Sequence, residues 1–219
     1  MPKTICVVQT STVSCTEISA LSKEYLPGVK YIEIIDSTLI DEVVASSGVT
    51  PKVRQRLLTY YKYAEDYGAD LILNQCSSVS EVVELGRQIV SIPIVKVDEP
   101  MMTKAVWSGS KIALVATVRT TVGPSRRLLD SIGTKEGKDI TVTEYLEDGA
   151  MLALMAGDRD KHNAVLLKAI EKAADENDVV VLAQGSMTAI LPLIGHISKP
   201  VLTSPRLAFE YLSQHPVFN

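Results

Sequence analysis

The sequence predicts an α/β protein built as two similar lobes, each carrying a four-stranded parallel sheet flanked by helices. Three observations carry this reading. Short β-branched runs alternate with longer amphipathic stretches along the whole chain, the pattern of repeated β-α units. The strand candidates number eight and fall into two sets of four. The two sets also share their spacing: Ile5–Thr10 ("ICVVQT") matches Ile112–Thr117 ("IALVAT") at an offset of 107, and Ser91–Val95 ("SIPIV") matches Ser198–Leu202 ("SKPVL") at the same offset. Leu71–Ser78 ("LILNQCSS") matches Val180–Met187 ("VVLAQGSM") at an offset of 109. Parallel-sheet proteins share composition but rarely spacing, so the agreement points to an internal duplication.

The predicted strands are Thr4–Thr10, Lys30–Ile35, Asp70–Asn74 and Pro93–Val95, then Lys111–Thr117, Ile140–Glu144, Val179–Ala183 and Pro200–Leu202. Thr50 followed by Pro51 is an N-cap with proline at the first helical position, and it opens a long helix that ends near Gly68. Asp158–Asn177 is a second long helix, with charges on one side and Ala164, Leu167 and Ile170 on the other. The segment 98–109 reads as a helix bridging the halves, and a last helix starts at Ser204 and packs back on the first lobe. The expected domains are therefore residues 1–97 with 204–219, and residues 98–203.

With 219 residues, 46% of them apolar and 22% charged, the chain is long enough to build its cores without metals or disulfides. Cys6, Cys15 and Cys76 are widely spaced and form no C-x-x-C pair, so neither a zinc site nor a disulfide framework is expected, and a reducing, cytoplasmic setting fits. No apolar run approaches the roughly 20 residues that span a bilayer, so no membrane partner is expected. A net charge of −4 with scattered lysines and arginines leaves no basic stripe for nucleic acid. No G-x-G-x-x-G or P-loop motif is present, and no organic cofactor is expected.

In open α/β sheets ligands gather beyond the carboxyl ends of the strands. Four of those ends here carry hydroxyls and small residues: Thr10 and Ser11, Cys76-Ser77-Ser78, Thr117 with Thr120, and Gly185-Ser186-Met187. Each hydroxyl taken alone is an ordinary helix N-cap. Four such clusters at equivalent places suit a shared anionic ligand, most simply a carboxylate. Cys6, inside an apolar strand, reads as a small hydrophobe, and Cys15 stays undecided. Cys76 is expected at the first turn of a helix, where the dipole favours the thiolate and equips it to exchange protons. His162 reads as part of a solvated helix face; His196 and His215 have no evident partner.

Asn74-Gln75-Cys76-Ser77-Ser78, Ala116-Thr117 with Thr120, and Leu182-Ala183-Gln184-Gly185-Ser186-Met187 together resemble the aspartate/glutamate/hydantoin racemase superfamily, which also contains arylmalonate decarboxylase and maleate isomerase. The resemblance covers nearly the whole chain. It implies two pseudo-symmetric α/β lobes with the active site in the interlobe cleft, and no cofactor. It further implies that Cys76 is the first catalytic cysteine, that Ser77 and Ser78 hold a substrate carboxylate, and that Thr117 and Thr120 are the facing donors. The chain departs from the racemase pattern at one point, because Gly185 stands where a second cysteine is found, followed by Ser186.

The expected function is thus a cofactor-independent racemase or isomerase in which Cys76 moves a proton at the carbon next to a carboxylate or carbonyl of a small acid. Ser186, or a side chain within residues 144–148, would serve as the second acid. Thr10, Ser11, Ser77, Ser78, Thr117, Thr120, Gly185 and Met187 are the expected substrate contacts. A decarboxylase or other lyase needing one-sided protonation is the alternative. Two rivals are a small-acid-binding protein without catalysis and a Cys76-nucleophile hydrolase, which would need a base such as His162 beside the thiol. A homo-oligomer is expected; Met151, Leu152, Leu154 and Met155 form either its contact surface or a lid.

Overall fold

The computed structural model describes residues 2–219. Among the described residues, eight strands form two four-stranded parallel sheets. The first holds β1 (Thr4–Gln9), β2 (Lys30–Ile35), β3 (Leu71–Asn74) and β4 (Ile94–Lys96) in the order β2-β1-β3-β4. The second holds β5 (Lys111–Ala116), β6 (Thr141–Leu146), β7 (Val179–Leu182) and β8 (Val201–Thr203) in the order β6-β5-β7-β8. The helices are α1 (Cys15–Tyr25), α2 (Thr38–Ala45), α3 (Pro51–Tyr67), α4 (Val83–Ile89), α5 (Glu99–Ser108), α6 (Arg119–Lys135), α7 (Asp148–Met155), α8 (Arg159–Glu176) and α9 (Ser204–Ser213). Short 3-10 helices follow β3 (Ser77–Val82) and β7 (Gly185–Leu193). Among the described residues no helix is long and apolar enough to cross a membrane.

The chain packs as two compact units, residues up to Pro100 with Pro205–Asn219, and Met101–Ser204. Alternation along the strands of the first unit divides its core by sheet face. Cys6, Val8 and Ile72 face Leu39 and Val43 of α2, Leu57 and Tyr61 of α3, and Val83 of α4. Ile5, Val7, Leu71 and Leu73 face Ile18 and Leu21 of α1 and Ala208, Phe209 and Leu212 of α9. In the second unit Ala113, Val115, Val180 and Leu182 pack on Leu166, Ile170 and Ala173 of α8.

Local chemistry sets the element ends. Thr50 Oγ1 accepts the Val53 N–H at 3.1 Å, Pro51 opens α3, and Gly68 closes it in the left-handed conformation at φ 93°. The starts of the central strands are held by equivalent carboxylates. Asp70 accepts the Thr4 N–H at 2.8 Å, and Asp178 accepts the Lys111 and Ser110 N–H groups at 2.9 and 3.1 Å. Gly109 lies so close to Asp178 that an added Cβ would come within 2.3 Å of its Cβ, so only glycine fits there.

Candidate active site

Cys76 sits just past β3, and three contacts fix its backbone. The Gln75 N–H donates to the Val8 carbonyl at 3.0 Å, extending the β1–β3 pairing by one residue. Asn74 Nδ2 donates to the Cys76 carbonyl at 3.1 Å, and Tyr61 Oη donates to Asn74 Oδ1 at 2.9 Å. Tyr61 and Asn74 are 0% and 1% exposed, so this chain of hydrogen bonds ties the site to the core of α3. Cys76 itself is in extended backbone, at φ −130° and ψ 117°, and caps the 3-10 helix Ser77–Val82.

Cys76 is half-buried as a residue, and protein surrounds its thiol closely enough that burial dominates its ionisation and pushes it up. Three donors oppose this, the Thr10 hydroxyl and the N–H groups of Ser78 and Val79, while the negative charge of Asp98 reinforces it. The expected thiolate preference is therefore corrected. The six-residue 3-10 helix offers little aligned dipole, and the nearby charge is an anion. Of the other cysteines, Cys6 is wholly buried with its thiol pushed up to about 12. Cys15 donates to the Ser11 carbonyl at 3.7 Å; burial and then Glu33 raise it.

Asp98 is a site residue that the sequence does not announce. It stands two residues past β4, is 0% exposed, and has the Ser77 hydroxyl against its carboxylate. Burial holds its carboxyl above the ordinary aspartate range. The hydroxyl clusters mark the ends of β1, β3, β5 and β7; in the first sheet, the ends of β2 and β4 carry Asp36 and Asp98 instead. Asp36 is engaged elsewhere, by Arg56 and by Tyr60 Oη at 2.5 Å.

The structure brings Thr10, Cys76, Ser77 and Ser78 together in the first unit, with Ser11 alongside at the α1 entry. In the second unit Thr117 is 2% exposed and clamped by Gln184. Gln184 Nε2 donates to Thr117 Oγ1 at 2.8 Å, and the Thr117 N–H donates to Gln184 Oε1 at 3.0 Å. That reciprocal pair joins the ends of β5 and β7 and sets Gly185 at the start of the second 3-10 helix, with Ser186 exposed and Met187 buried behind it. Thr120 lies in the first turn of α6. Of the candidate second acids, Asp148 lies 3.5 Å from Arg119 and Glu144 3.5 Å from Arg126, all of them exposed side chains. His162 Nδ1 meets Asn163 Oδ1 at 3.0 Å. Leu152 and Met155 of α7 are strongly exposed. Among the described residues no group of three or more His, Cys, Asp or Glu is placed to hold a metal ion.

The family profile described as Asp/Glu/Hydantoin racemase matches residues 6–212. Glutamate racemase from Francisella tularensis, solved with D-glutamate, aligns at a TM-score of 0.74 and 15% identity, over 97% of this chain and 80% of that one. Aspartate racemase from Picrophilus torridus aligns at 0.68 and 14% identity, over 97% and 94%. Allantoin racemase from Klebsiella pneumoniae aligns at 0.67 and 17% identity, over 97% and 86%. At such identities the likeness is one of fold. No curated protein matches the chain in sequence.

Proposed function

Because the chain belongs to the Asp/Glu/hydantoin racemase family, we propose that it is a racemase-type isomerase of a small carboxylic acid, with Cys76 as the acid/base at the carbon beside the carboxylate or carbonyl. The observation that carries this reading is the setting of Cys76, a half-buried residue whose sulfur faces one hydroxyl and two backbone N–H donors at a strand's carboxyl end. Those donors can hold the charge that forms on sulfur when the thiol gives up its proton.

A raised thiol acts in two directions. It is populated as the acid at neutral pH, ready to protonate an enolate. When it does ionise, its thiolate is a stronger base toward a carbon acid, though about tenfold scarcer for each whole step by which its pKa climbs. Ser77, Ser78, Thr10 and Ser11, around Cys76, are the proposed contacts of the carboxylate and of the developing enolate. Losing one such donor typically costs about 100- to 1000-fold in rate.

Full racemisation needs an acid on each face of the reacting carbon, and Gly185 offers no side chain. Ser186 carries an exposed hydroxyl beside it, the proposed second proton donor. The same glycine favours a second reading, decarboxylation or another lyase reaction with protonation by Cys76 alone. Both readings operate without an organic cofactor.

The test is a screen of 2-amino, 2-hydroxy and malonate-type acids in deuterated water, with wild type and Cys76→Ser compared. Deuterium entering the carbon next to the carboxylate with wild type alone supports the isomerase, and carbon dioxide release selects the lyase. Equal exchange by Cys76→Ser, or no turnover of any acid in the screen, would sink the assignment.

A further inference from the structure

A second acid stands behind Cys76. β3 and β4 pair in parallel, and the Val97 N–H donates to the Asn74 carbonyl at 2.9 Å, so the strand ends that carry Cys76 and Asp98 run side by side. The Asp98 carboxylate is wholly enclosed, and neither of its oxygens completes a hydrogen bond of normal geometry. The Ser77 hydroxyl and its own backbone N–H lie against it without meeting that standard. The charged groups around it come from three elements. Lys96 of β4 is held by Glu84 of α4 at 2.7 Å; Glu99 opens α5 and is held by Arg87 at 2.8 Å; the Cys76 sulfur lies on the β3 side.

An enclosed carboxylate short of donors is costly, and asparagine would fit the same space without charge. Such a group is retained where its ionisation has a use. We propose that Asp98 is a positioning residue of the Cys76 site: it steadies the Ser77 hydroxyl and, by its charge, keeps the neighbouring thiol protonated until the carboxyl itself takes up a proton. This deepens the isomerase reading and rests on Cys76 being its acid/base.

The physical basis is that two neighbouring acids in a poorly solvated place resist ionising together, so their protons come off as a pair. Once the carboxyl is neutral, the Thr10 hydroxyl and the two N–H groups turned to the sulfur can hold a negative charge there. An anionic substrate arriving at Ser77 brings a further negative charge. Its approach drives Asp98 toward the neutral form, which removes the carboxylate's own share of the repulsion on the thiol.

The experiment is the rate of Cys76 alkylation by iodoacetamide against pH, in the full chain carrying Cys15→Ser, with Cys6 enclosed in the core. With Asp98 present, the logarithm of the rate should climb by less than one per pH unit across the range where the carboxyl ionises. With Asp98→Asn it should climb as one straight line to a midpoint about one pH unit lower, giving about tenfold faster alkylation between the carboxyl's ionisation range and that midpoint and the wild-type rate below that range. Asp98→Glu should restore the bend. Coincident profiles for wild type and Asp98→Asn overturn the proposal. If Asp98→Asn does not fold, an unbent wild-type profile overturns it equally. Loss of the isomerase reading would show instead as absent deuterium exchange with the bend intact.

Discussion

Tyr61→Phe removes one oxygen from a side chain with no exposed surface and leaves its ring packed, so no sizeable cavity opens. What it takes away is the donor to Asn74 Oδ1, 2.9 Å from Tyr61 Oη. Asn74 is 1% exposed and its Nδ2 is committed to the Cys76 carbonyl, so turning the amide over would place an oxygen against an oxygen. The amide oxygen is therefore left buried and unpaired, which costs about 1–3 kcal/mol. At a urea slope of about 2 kcal/mol/M this lowers the midpoint by about 0.5–1.5 M. The chain contains one tryptophan, Trp107, which lies in the second unit, whereas Tyr25, Tyr31, Tyr60, Tyr61, Tyr63, Tyr67 and Tyr211 belong to the first. With Tyr145 the one tyrosine of the second unit, tyrosine absorbance then reports chiefly the first unit and tryptophan fluorescence the second. The variant should move the tyrosine transition, and Asn74→Ala should cost less in the Tyr61→Phe background than in wild type, because the two share one interaction. An unmoved tyrosine transition, or strict additivity of the two substitutions, would refute the reasoning.

Thr117→Val keeps the shape of a 2%-exposed side chain but strips the acceptor from Gln184 Nε2, while the backbone half of the clamp at 3.0 Å survives. A loss of about 1 kcal/mol is expected, read by Trp107 fluorescence in urea. Gly86→Ala would set a Cβ 2.6 Å from Tyr61 Cδ2 and 2.8 Å from Ile94 Cδ1. Overpacking of that kind costs about 1–3 kcal/mol and should appear in the tyrosine transition, with an unshifted midpoint counting against the close contact. The Lys3 ammonium at 2.8 Å, with the Thr4 N–H, holds the Asp70 carboxyl below its usual range. A depressed carboxyl contributes stability that is complete above the unfolded value of about 3.9 and is lost as pH falls through the folded one. Wild type should thus exceed Asp70→Asn in urea midpoint at neutral pH, with the gap closing below about pH 4; a gap constant with pH would contradict the pairing.

Much of this fold can be read from the residues, because its signals are local. The β-branched runs and their spacing locate all eight strands, and Thr50-Pro51 with Gly68 marks both ends of α3. Where ends differ, the ladder decides. Residue types place the last strand of the first sheet at Pro93–Val95, and it is found at Ile94–Lys96. Pro93 has no N–H to give; it contributes only its carbonyl, to Ile72, while Lys96 pairs with Asn74. The candidate site is legible in its residue types and not in its electrostatics. The sequence places Cys76 before a helical turn, but the shortness of that 3-10 turn and the depth of burial come from packing, as does the neighbouring charge of Asp98. Asp98 escapes notice in the sequence because its role depends on β4 lying beside β3, and strand order is a long-range fact. Tyr61 and Asn74 are separated by 13 positions along the chain, and only the docking of α3 on the sheet joins them.

The closing of the first core by α9 bears on how the molecule comes off the ribosome. Phe209, Ala208 and Leu212, all fully enclosed, complete the face of the sheet formed by Ile5, Val7, Leu71 and Leu73. Those strand residues are synthesised early, yet their last partners are made more than a hundred residues later, whereas Met101–Ser204 is an uninterrupted stretch. Synthesis runs from the amino terminus, so the later-made unit holds all its parts while the earlier one still waits for its final helix. During that interval the part of the apolar sheet face that α1 leaves open is exposed, a surface to which neighbouring chains can stick.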